Sequence, residues 1–238
     1  MKKVSIIIPA YNEENSIKAL IKTIQSINLN KLGFSKEIVC VDDGSTDKTG
    51  EIIKKFSGVI YLKQKNQGKG AAVQRGIKKS KGELILVQDA DLEYDPKDYK
   101  KLLKPFLKNN RIAVYGSRYY NKSIISFNFF GKNKQSFLAF FFNFFLSGYF
   151  FLLFNSYYTD LLTGYKVYEK SFFNKTKIKT KGFETDHEIT INLIKKNYKI
   201  LEVPIKYMPR TKKEGKKINF FDAIRAIFVI TKMKLFKL

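Results

Sequence analysis

The chain has 238 residues, 45 of them Lys or Arg against 21 Asp or Glu, with one Cys, one His and no Trp. That length suits a single domain with a sizeable core, and 44% apolar residues is ordinary for a globular protein, which excludes disorder as the main description. One Cys and one His exclude a disulfide framework and zinc clusters, so any metal must be held by oxygen, while a formal charge of +24 calls for a polyanionic partner or surface.

The first nine residues hold too short an apolar run for a signal peptide. Residues 4–8, β-branched and closed by Pro9, read instead as a strand buried on both faces. From Ile17 the apolar residues Leu20, Ile21, Ile24 and Ile27 recur at helical spacing. A strand over 37–41 ends at Asp42-Asp43-Gly44-Ser45, and a helix over 47–56 and a strand over 59–62 follow. Residues 70–79 read as helix, 84–87 as a fourth strand, Asp95-Pro96 as a helix start, and 112–115 as a fifth strand. This alternation predicts an α/β fold: a doubly wound, mostly parallel sheet flanked by helices, with ligands beyond the carboxyl ends of the strands. The residues at those ends are Tyr11-Asn12-Glu13, Asp42-Asp43, Gln67-Gly68-Lys69-Gly70 and Asp89-Ala90-Asp91. Any one of these loops reads equally well as a turn or a cap, which Asp, Asn and Gly also suit. Four of them at one edge read as a site.

The second half differs. Residues 136–155 carry no charge and 15 of the 20 are apolar, so as a helix they would be about 30 Å long, enough to cross a bilayer. Ser136, Asn143 and Ser147 give this helix a narrow polar stripe, and site-like sequence flanks it on both sides. The favoured reading is a helix at the membrane interface; a span and a buried core helix are the alternatives. Residues 206–238 hold ten Lys or Arg against two acids, and within 219–238 Asp222, Arg225 and Lys232 lie opposite Phe221, Ile224, Ile227, Phe228 and Leu235. Such a basic amphipathic helix reads as an interfacial anchor, with each lysine near an anionic surface contributing about 1 kcal/mol. The expected organisation is one domain over 1–210, with 136–155 inserted, then a basic loop and membrane-associating helix over 211–238. Nucleic acid is not the expected polyanion, because the aromatics form apolar blocks and acids crowd the predicted cleft. Gly68-Lys69-Gly70 also lacks the spacing of a nucleotide-triphosphate P-loop.

Asp89-Ala90-Asp91 is the central motif. Alternate residues at a strand end point the same way, so both carboxylates can face one cation. Mg²⁺ and Mn²⁺ favour oxygen ligands and keep water and substrate phosphates, so two carboxylates suffice, with Glu93 as a third oxygen donor. Pro9-Ala10-Tyr11-Asn12-Glu13, Val41-Asp42-Asp43-Gly44-Ser45, Gly68-Lys69-Gly70 and Gln88-Asp89-Ala90-Asp91 together resemble the family 2 glycosyltransferases, and more narrowly the polyprenyl-phosphate (dolichyl-phosphate) mannose and glucose synthases. Gly116-Ser117-Arg118, Thr159-Asp160, Thr163-Gly164-Tyr165-Lys166, Glu184-Thr185-Asp186-His187-Glu188 and Glu202-Val203-Pro204-Ile205 extend the resemblance along nearly the whole chain.

The resemblance implies a GT-A fold and an inverting, metal-dependent hexosyltransferase. It would move a hexose from a nucleotide-sugar donor to a polyprenyl (dolichyl or undecaprenyl) phosphate acceptor, using Mg²⁺ or Mn²⁺, as a peripheral protein on the cytoplasmic face of the membrane. Pro9, Tyr11, Glu13 and one or both of Asp42 and Asp43 would hold the nucleoside. The Asp89-Ala90-Asp91 turn would bind the donor, Asp89 and Asp91 through a metal on its diphosphate. Lys69 and Arg118 suit phosphate by charge, and Lys216 and Lys217 match a loop that closes on phosphates. Asp91, Arg118 and Asp186 would carry the chemistry. The alternative acceptor is a saccharide hydroxyl in cell-surface polysaccharide synthesis, with Asp186 as the base. His187, a lone histidine between two acids, reads as structural. Relatives often have Asn-Arg where this chain has Asn133-Lys134, which keeps the charge but loses the bidentate fork. Carboxyl-terminal spans, common in such relatives, are not read here, which leaves room for an integral-membrane partner subunit.

Overall fold

The computed structural model describes residues 1–120, 134–210 and 220–236. Asn133, Lys216 and Lys217 lie outside the described residues.

Seven strands form one sheet: β1 (Lys2–Ala10), β2 (Phe34–Asp42), β3 (Val59–Lys63), β4 (Leu84–Val87), β5 (Ile112–Ser117), β6 (Lys166–Glu169) and β7 (Lys199–Pro204), in the order β3-β2-β1-β4-β6-β5-β7. β1 pairs in parallel with β2 and β4, and β2 with β3, as the α/β alternation predicts. β6 runs antiparallel to both β4 and β5, and β7 returns parallel to β5. The sheet is therefore mixed, and the reversed strand has a consequence for the site. The start of β6 lies at the same edge as the ends of β1, β2, β4, β5 and β7.

Helices cover both faces because the central strands are apolar on both. On one face Val4, Ile6 and Ile8 of β1 pack with Ile17, Leu20, Ile21 and Ile24 of α1 (Ile17–Ser26), Ile53 of α2 (Thr49–Lys54) and Tyr99, Leu102 and Leu103 of α4 (Tyr99–Leu103). On the other, Ile7, Val39, Val41, Ile85 and Val87 meet Ala72, Val73 and Ile77 of α3 (Lys69–Lys79), Phe172 of α6 (Lys170–Asn174) and Ile189 and Leu193 of α7 (Thr185–Lys195). Each such side chain contributes at most about 1.5–3 kcal/mol on burial. The i, i+3, i+4, i+7 spacing of the four buried residues of α1 is the period read from the sequence.

α5 (Lys134–Phe154) and α8 (Phe220–Leu235) add a third cluster outside the sheet, where Leu146 and Phe150 pack with Leu161, Ile191, Ala226, Ile230 and Met233. Among the described residues no helix is long and apolar enough to cross a membrane. The polar stripe of α5 faces inward: Asn143 and Ser147 are buried, and Asn143 Nδ2 donates to the Thr159 carbonyl (2.8 Å) while its Oδ1 accepts from Leu162 N (3.3 Å). Part of its phenylalanine surface faces outward, with Phe141, Phe144, Phe145, Phe151 and Leu152 exposed, as are Ile224, Phe228 and Leu235 of α8.

Candidate active site

The fold brings the predicted loops to one edge. Beyond β1, Pro9 is half-buried and Tyr11 stands exposed at the rim. Asp42 and Asp43, at the end of β2, are buried and hold their own surroundings. Asp42 accepts from Ser45 N (2.8 Å) and Tyr61 Oη (2.9 Å); Tyr61 is pushed up to about 12 by burial, then by this carboxylate. Asp43 accepts from Gln64 Nε2 (2.7 Å), Gln67 N (3.0 Å) and Gly68 N (2.8 Å). It thus fixes the loop that delivers Lys69, which turns into α3 at Gly68, φ +99°, a left-handed position suited to glycine.

β4 ends in Gln88, a buried amide whose oxygen accepts from Tyr99 Oη (2.9 Å) and Tyr165 Oη (2.9 Å) and so anchors the strand end from below. Beyond it Ala90 turns into the core, leaving Asp89 and Asp91 on the side of the cleft. Each aspartate meets a protein cation. Lys69 Nζ lies 2.6 Å from Asp89 Oδ1, and Arg210 Nη2 lies 3.0 Å from Asp91 Oδ2. The same guanidinium reaches Glu13 (Nη1, 3.2 Å) and Glu93 (Nε, 3.8 Å). Leu92, between Asp91 and Glu93, takes φ +61°, a strained conformation for a leucine that reverses the chain here. Glu93 N then donates to Asp91 Oδ1 (3.1 Å), and the Glu93 carboxylate accepts from Tyr207 Oη (2.7 Å) and Arg210 N (2.8 Å).

The charge state follows from this crowding. Burial, then Asp89 and Glu93, pushes Asp91 up to about 7, with Arg210 opposing. Burial disfavours the Lys69 ammonium, but Asp89, Asp186 and Asp91 outweigh it and hold it above its ordinary range. A buried oxygen-only pair carrying more negative charge than its environment favours fits a hard divalent cation, whose remaining ligands come from substrate phosphate and water. Glu93 does not complete a cage: among the described residues no group of three His, Cys, Asp or Glu converges on one point.

The antiparallel strand supplies the far wall. Continuing the β4–β6 register past Val87 and Lys166 sets Gly164 against Asp89, where a Cβ would fall 2.4 Å from Asp89 Oδ2. Gly164 N donates to Tyr94 Oη (2.8 Å). Lys166 is buried beneath, with Asp186 Oδ1 at 3.8 Å and the Tyr115 ring centroid at 4.8 Å; burial lowers its pKa. Asp186 sits in the first turn of α7, partly exposed. The N-termini of α3 and α7 touch so closely that a Cβ at Gly70 would lie 1.9 Å from Thr185 Oγ1.

Arg118 is placed differently from an open phosphate ligand. It is buried beside Tyr119 and Tyr207, donating through Nε and Nη2 to Asp160 (both 2.7 Å). Asp160 N and Thr159 in turn donate to Glu202. Arg118 is thus held as the centre of a buried ion pair. The residue that sequence reasoning missed is Arg210. Only five of the 45 basic residues are Arg, and two of these five, Arg118 and Arg210, grip carboxylates at this edge. Arginine in a chain that otherwise uses lysine was the available signal.

Residues 5–175 match glycosyl transferase family 2. An uncharacterised protein of Methanocaldococcus jannaschii is 31% identical over 98% of this chain and 93% of its own. The UDP-N-acetylglucosamine–dolichyl-phosphate N-acetylglucosaminyltransferase of Methanococcus voltae is 30% identical over 86% of this chain and 85% of its own. Among solved structures, glucosyl-3-phosphoglycerate synthase of Mycobacterium tuberculosis in complex with UDP superposes with a TM-score of 0.73 at 17% identity, covering 97% of this chain and 79% of that one. The same synthase has also been solved with Mn²⁺, UDP and phosphoglyceric acid. The GT-A architecture expected from the sequence is the one observed.

Proposed function

This chain belongs to glycosyl transferase family 2, and on that premise we propose that it transfers a hexose from a nucleoside-diphosphate sugar to a polyprenyl phosphate, with inversion at the anomeric carbon. The observation that carries the reading is the Asp89–Asp91 pair, set at the end of a central parallel strand beside the Tyr11 and Asp42-Asp43 loops and faced by Lys69 and Arg210. The acceptor class is supported by the dolichyl-phosphate relative matched along most of both chains. The outward phenylalanines of α5 and α8 support peripheral attachment to the membrane, on the cytoplasmic face where a soluble nucleotide donor would meet it.

Pro9, Tyr11, Glu13 and the Asp42-Asp43 end of β2 frame the nucleoside. Asp89 and Asp91 are the residues that would hold Mg²⁺ or Mn²⁺, which when bound supplies a Lewis acid and a template for the departing diphosphate. Lys69, fixed by the Asp43-held loop, neutralises phosphate charge beside them. Asp43 orients that loop, Gln88 supports the strand end, and the bare Gly164 leaves Asp89 its space. A lipid phosphate is already anionic and needs placing more than deprotonating. The second reading, a saccharide hydroxyl as acceptor, needs a base, and Asp186, partly exposed in the first turn of α7, would serve as it.

The test incubates purified protein with UDP- and GDP-sugars, Mn²⁺ or Mg²⁺, and polyprenyl phosphate, and identifies the glycolipid by mass. Product that disappears in Asp89→Asn and Asp91→Asn is the expected result. Turnover on a saccharide with none on any polyprenyl phosphate would replace the first reading with the second.

A further inference from the structure

We propose that Lys69 and Arg210 are resident counter-cations of the aspartate pair, so that the site admits its divalent ion as a complex with the nucleoside diphosphate and resists the free ion. The inference rests on the donor reading above and concerns how that donor and its cation enter.

Each aspartate of the motif already has a protein cation against it, although the acids around them outnumber these two cations. Lys69 Nζ stands 2.6 Å from Asp89, and Arg210 spans Asp91 at 3.0 Å, Glu13 at 3.2 Å and Glu93 at 3.8 Å. All six side chains are less than a fifth exposed, so these contacts are little screened by water. A bare divalent ion arriving at Asp89 and Asp91 must push two positive groups off these carboxylates and then sit beside them. That leaves Arg210 only Glu13 and Glu93, which it already contacts, and Lys69 only the more distant Asp186 among the described residues. A diphosphate arriving with the ion changes the balance, because it carries the negative charge that the two released cations need. The exchange is then carboxylate for phosphate on the protein cations, and protein cation for metal on the carboxylates. Net charge in the pocket changes little.

The surroundings of Arg210 suit a group that has to let go. Its Nε is buried and has no hydrogen-bond partner among the described residues, so its fit to the three acids is incomplete. Its backbone is held apart from its side chain: Arg210 N donates to Glu93 Oε1 (2.8 Å), Met208 N to the Glu93 carbonyl (2.9 Å), and Tyr207 Oη to Glu93 Oε2 (2.7 Å). The guanidinium can swing away from Asp91 while the segment carrying it stays fastened to Glu93. Lys69 has the same arrangement, a side chain on a helix start whose loop is pinned by Asp43.

Mn²⁺ binding, followed by electron paramagnetic resonance on the full chain, tests this without turnover. In the wild type, GDP or UDP is expected to tighten Mn²⁺ binding by roughly tenfold or more, since charge pairs in a poorly solvated site interact strongly. Arg210→Gln and, independently, Lys69→Gln are expected to bind Mn²⁺ alone roughly tenfold more tightly than the wild type and to gain less from nucleotide. Arg210→Lys, which keeps a positive charge, is expected to stay closer to the wild type. Free Mn²⁺ binding that is unchanged or weaker in both Gln variants, with nucleotide-dependent binding intact in the wild type, overturns the exchange and leaves the donor site standing. Absence of Mn²⁺ binding in every protein with either nucleotide overturns both.

Discussion

His187 is the only histidine in the chain, which lets its contribution to stability be isolated. It is buried in the first turn of α7, and its Nδ1 has no hydrogen-bond partner among the described residues. Burial first, and the Lys166 ammonium second, lowers its pKa from 6.5 to about 3. Below pH 6.5 the unfolded chain therefore takes up a proton that the folded chain refuses, and stability falls as the solution is acidified. At pH 7.5 the ring is neutral in both states and the effect vanishes. At pH 5, one and a half units below the unfolded value at about 1.4 kcal/mol per unit, it amounts to about 2 kcal/mol. That figure is insensitive to the depth of the folded value, because the buried ring is neutral at pH 5 in any case. Asp91 acts in the opposite sense. Its carboxyl, raised to about 7 by burial and then by Asp89 and Glu93, gains its proton first in the folded state, which adds stability between pH 7 and 4. Comparing wild type with His187→Leu removes that contribution, since both proteins share it. Urea unfolding of each at pH 7.5 and pH 5 should show the variant gaining about 2 kcal/mol on the wild type between the two conditions. Parallel pH profiles for the two proteins would mean that the imidazole is solvated or partnered, and the reasoning fails.

Asp160→Asn removes the counter-charge of the buried Arg118 and should destabilise the fold by about 3–5 kcal/mol in denaturant unfolding, more than an exposed pair could account for. Gly164→Ala places a methyl 2.4 Å from Asp89 Oδ2, so kcat/KM and Mn²⁺ affinity with nucleotide should each drop by roughly tenfold or more, with the melting temperature little changed. Replacing Phe145 and Phe228 by Ser removes two exposed rings, and co-sedimentation with anionic vesicles should weaken by more than about tenfold if those faces enter lipid. Undiminished vesicle binding would assign the faces to another surface.

The first half of the fold was legible because its central strands β1 and β4 are buried on both faces and α1 carries one apolar stripe, so period and burial agree. Val4, Ile6, Ile7 and Ile8 of β1 have no exposed side, and α1 shows its four core residues at the spacing a helix requires. The Asp89–Asp91 pair was legible for the same reason, since a strand end fixes which way alternate residues point. β6 was not. It is four residues long, its direction is set by pairing with β4 and β5 rather than by any local pattern, and Lys166 within it is an ammonium buried where sequence predicts exposure. Arg210 was hidden in a lysine-rich stretch, and its role arises from meeting Glu13 across the fold, 197 residues away in sequence. Asp43 reads as a nucleoside ligand from the sequence, but that its carboxylate also holds the Gln67-Gly68 turn is written in hydrogen bonds that leave no mark on composition.

The stripe on α5 shows how a pattern can be read correctly and its direction still be open. Ser136, Asn143 and Ser147 predicted a helix with one polar face, and an interfacial helix would ordinarily turn that face to water. Here the polar face turns inward because the protein offers it partners: Asn143 spans the segment from Thr159 to Leu162. That segment contains Asp160, which grips Arg118, and rests through Thr159 and Asp160 on Glu202. The outward phenylalanines and the buried ion pair are therefore joined by one amide. A helix attached only by apolar contacts could slide or roll on the domain, since such contacts have no direction. A directional hydrogen bond from Asn143 fixes the roll of α5, and with it which rings face outward. The same bond links the position of the apolar surface to that of the residues around Arg118, so if that surface docks on lipid as proposed, it is held in fixed register with the cleft that would receive a lipid phosphate.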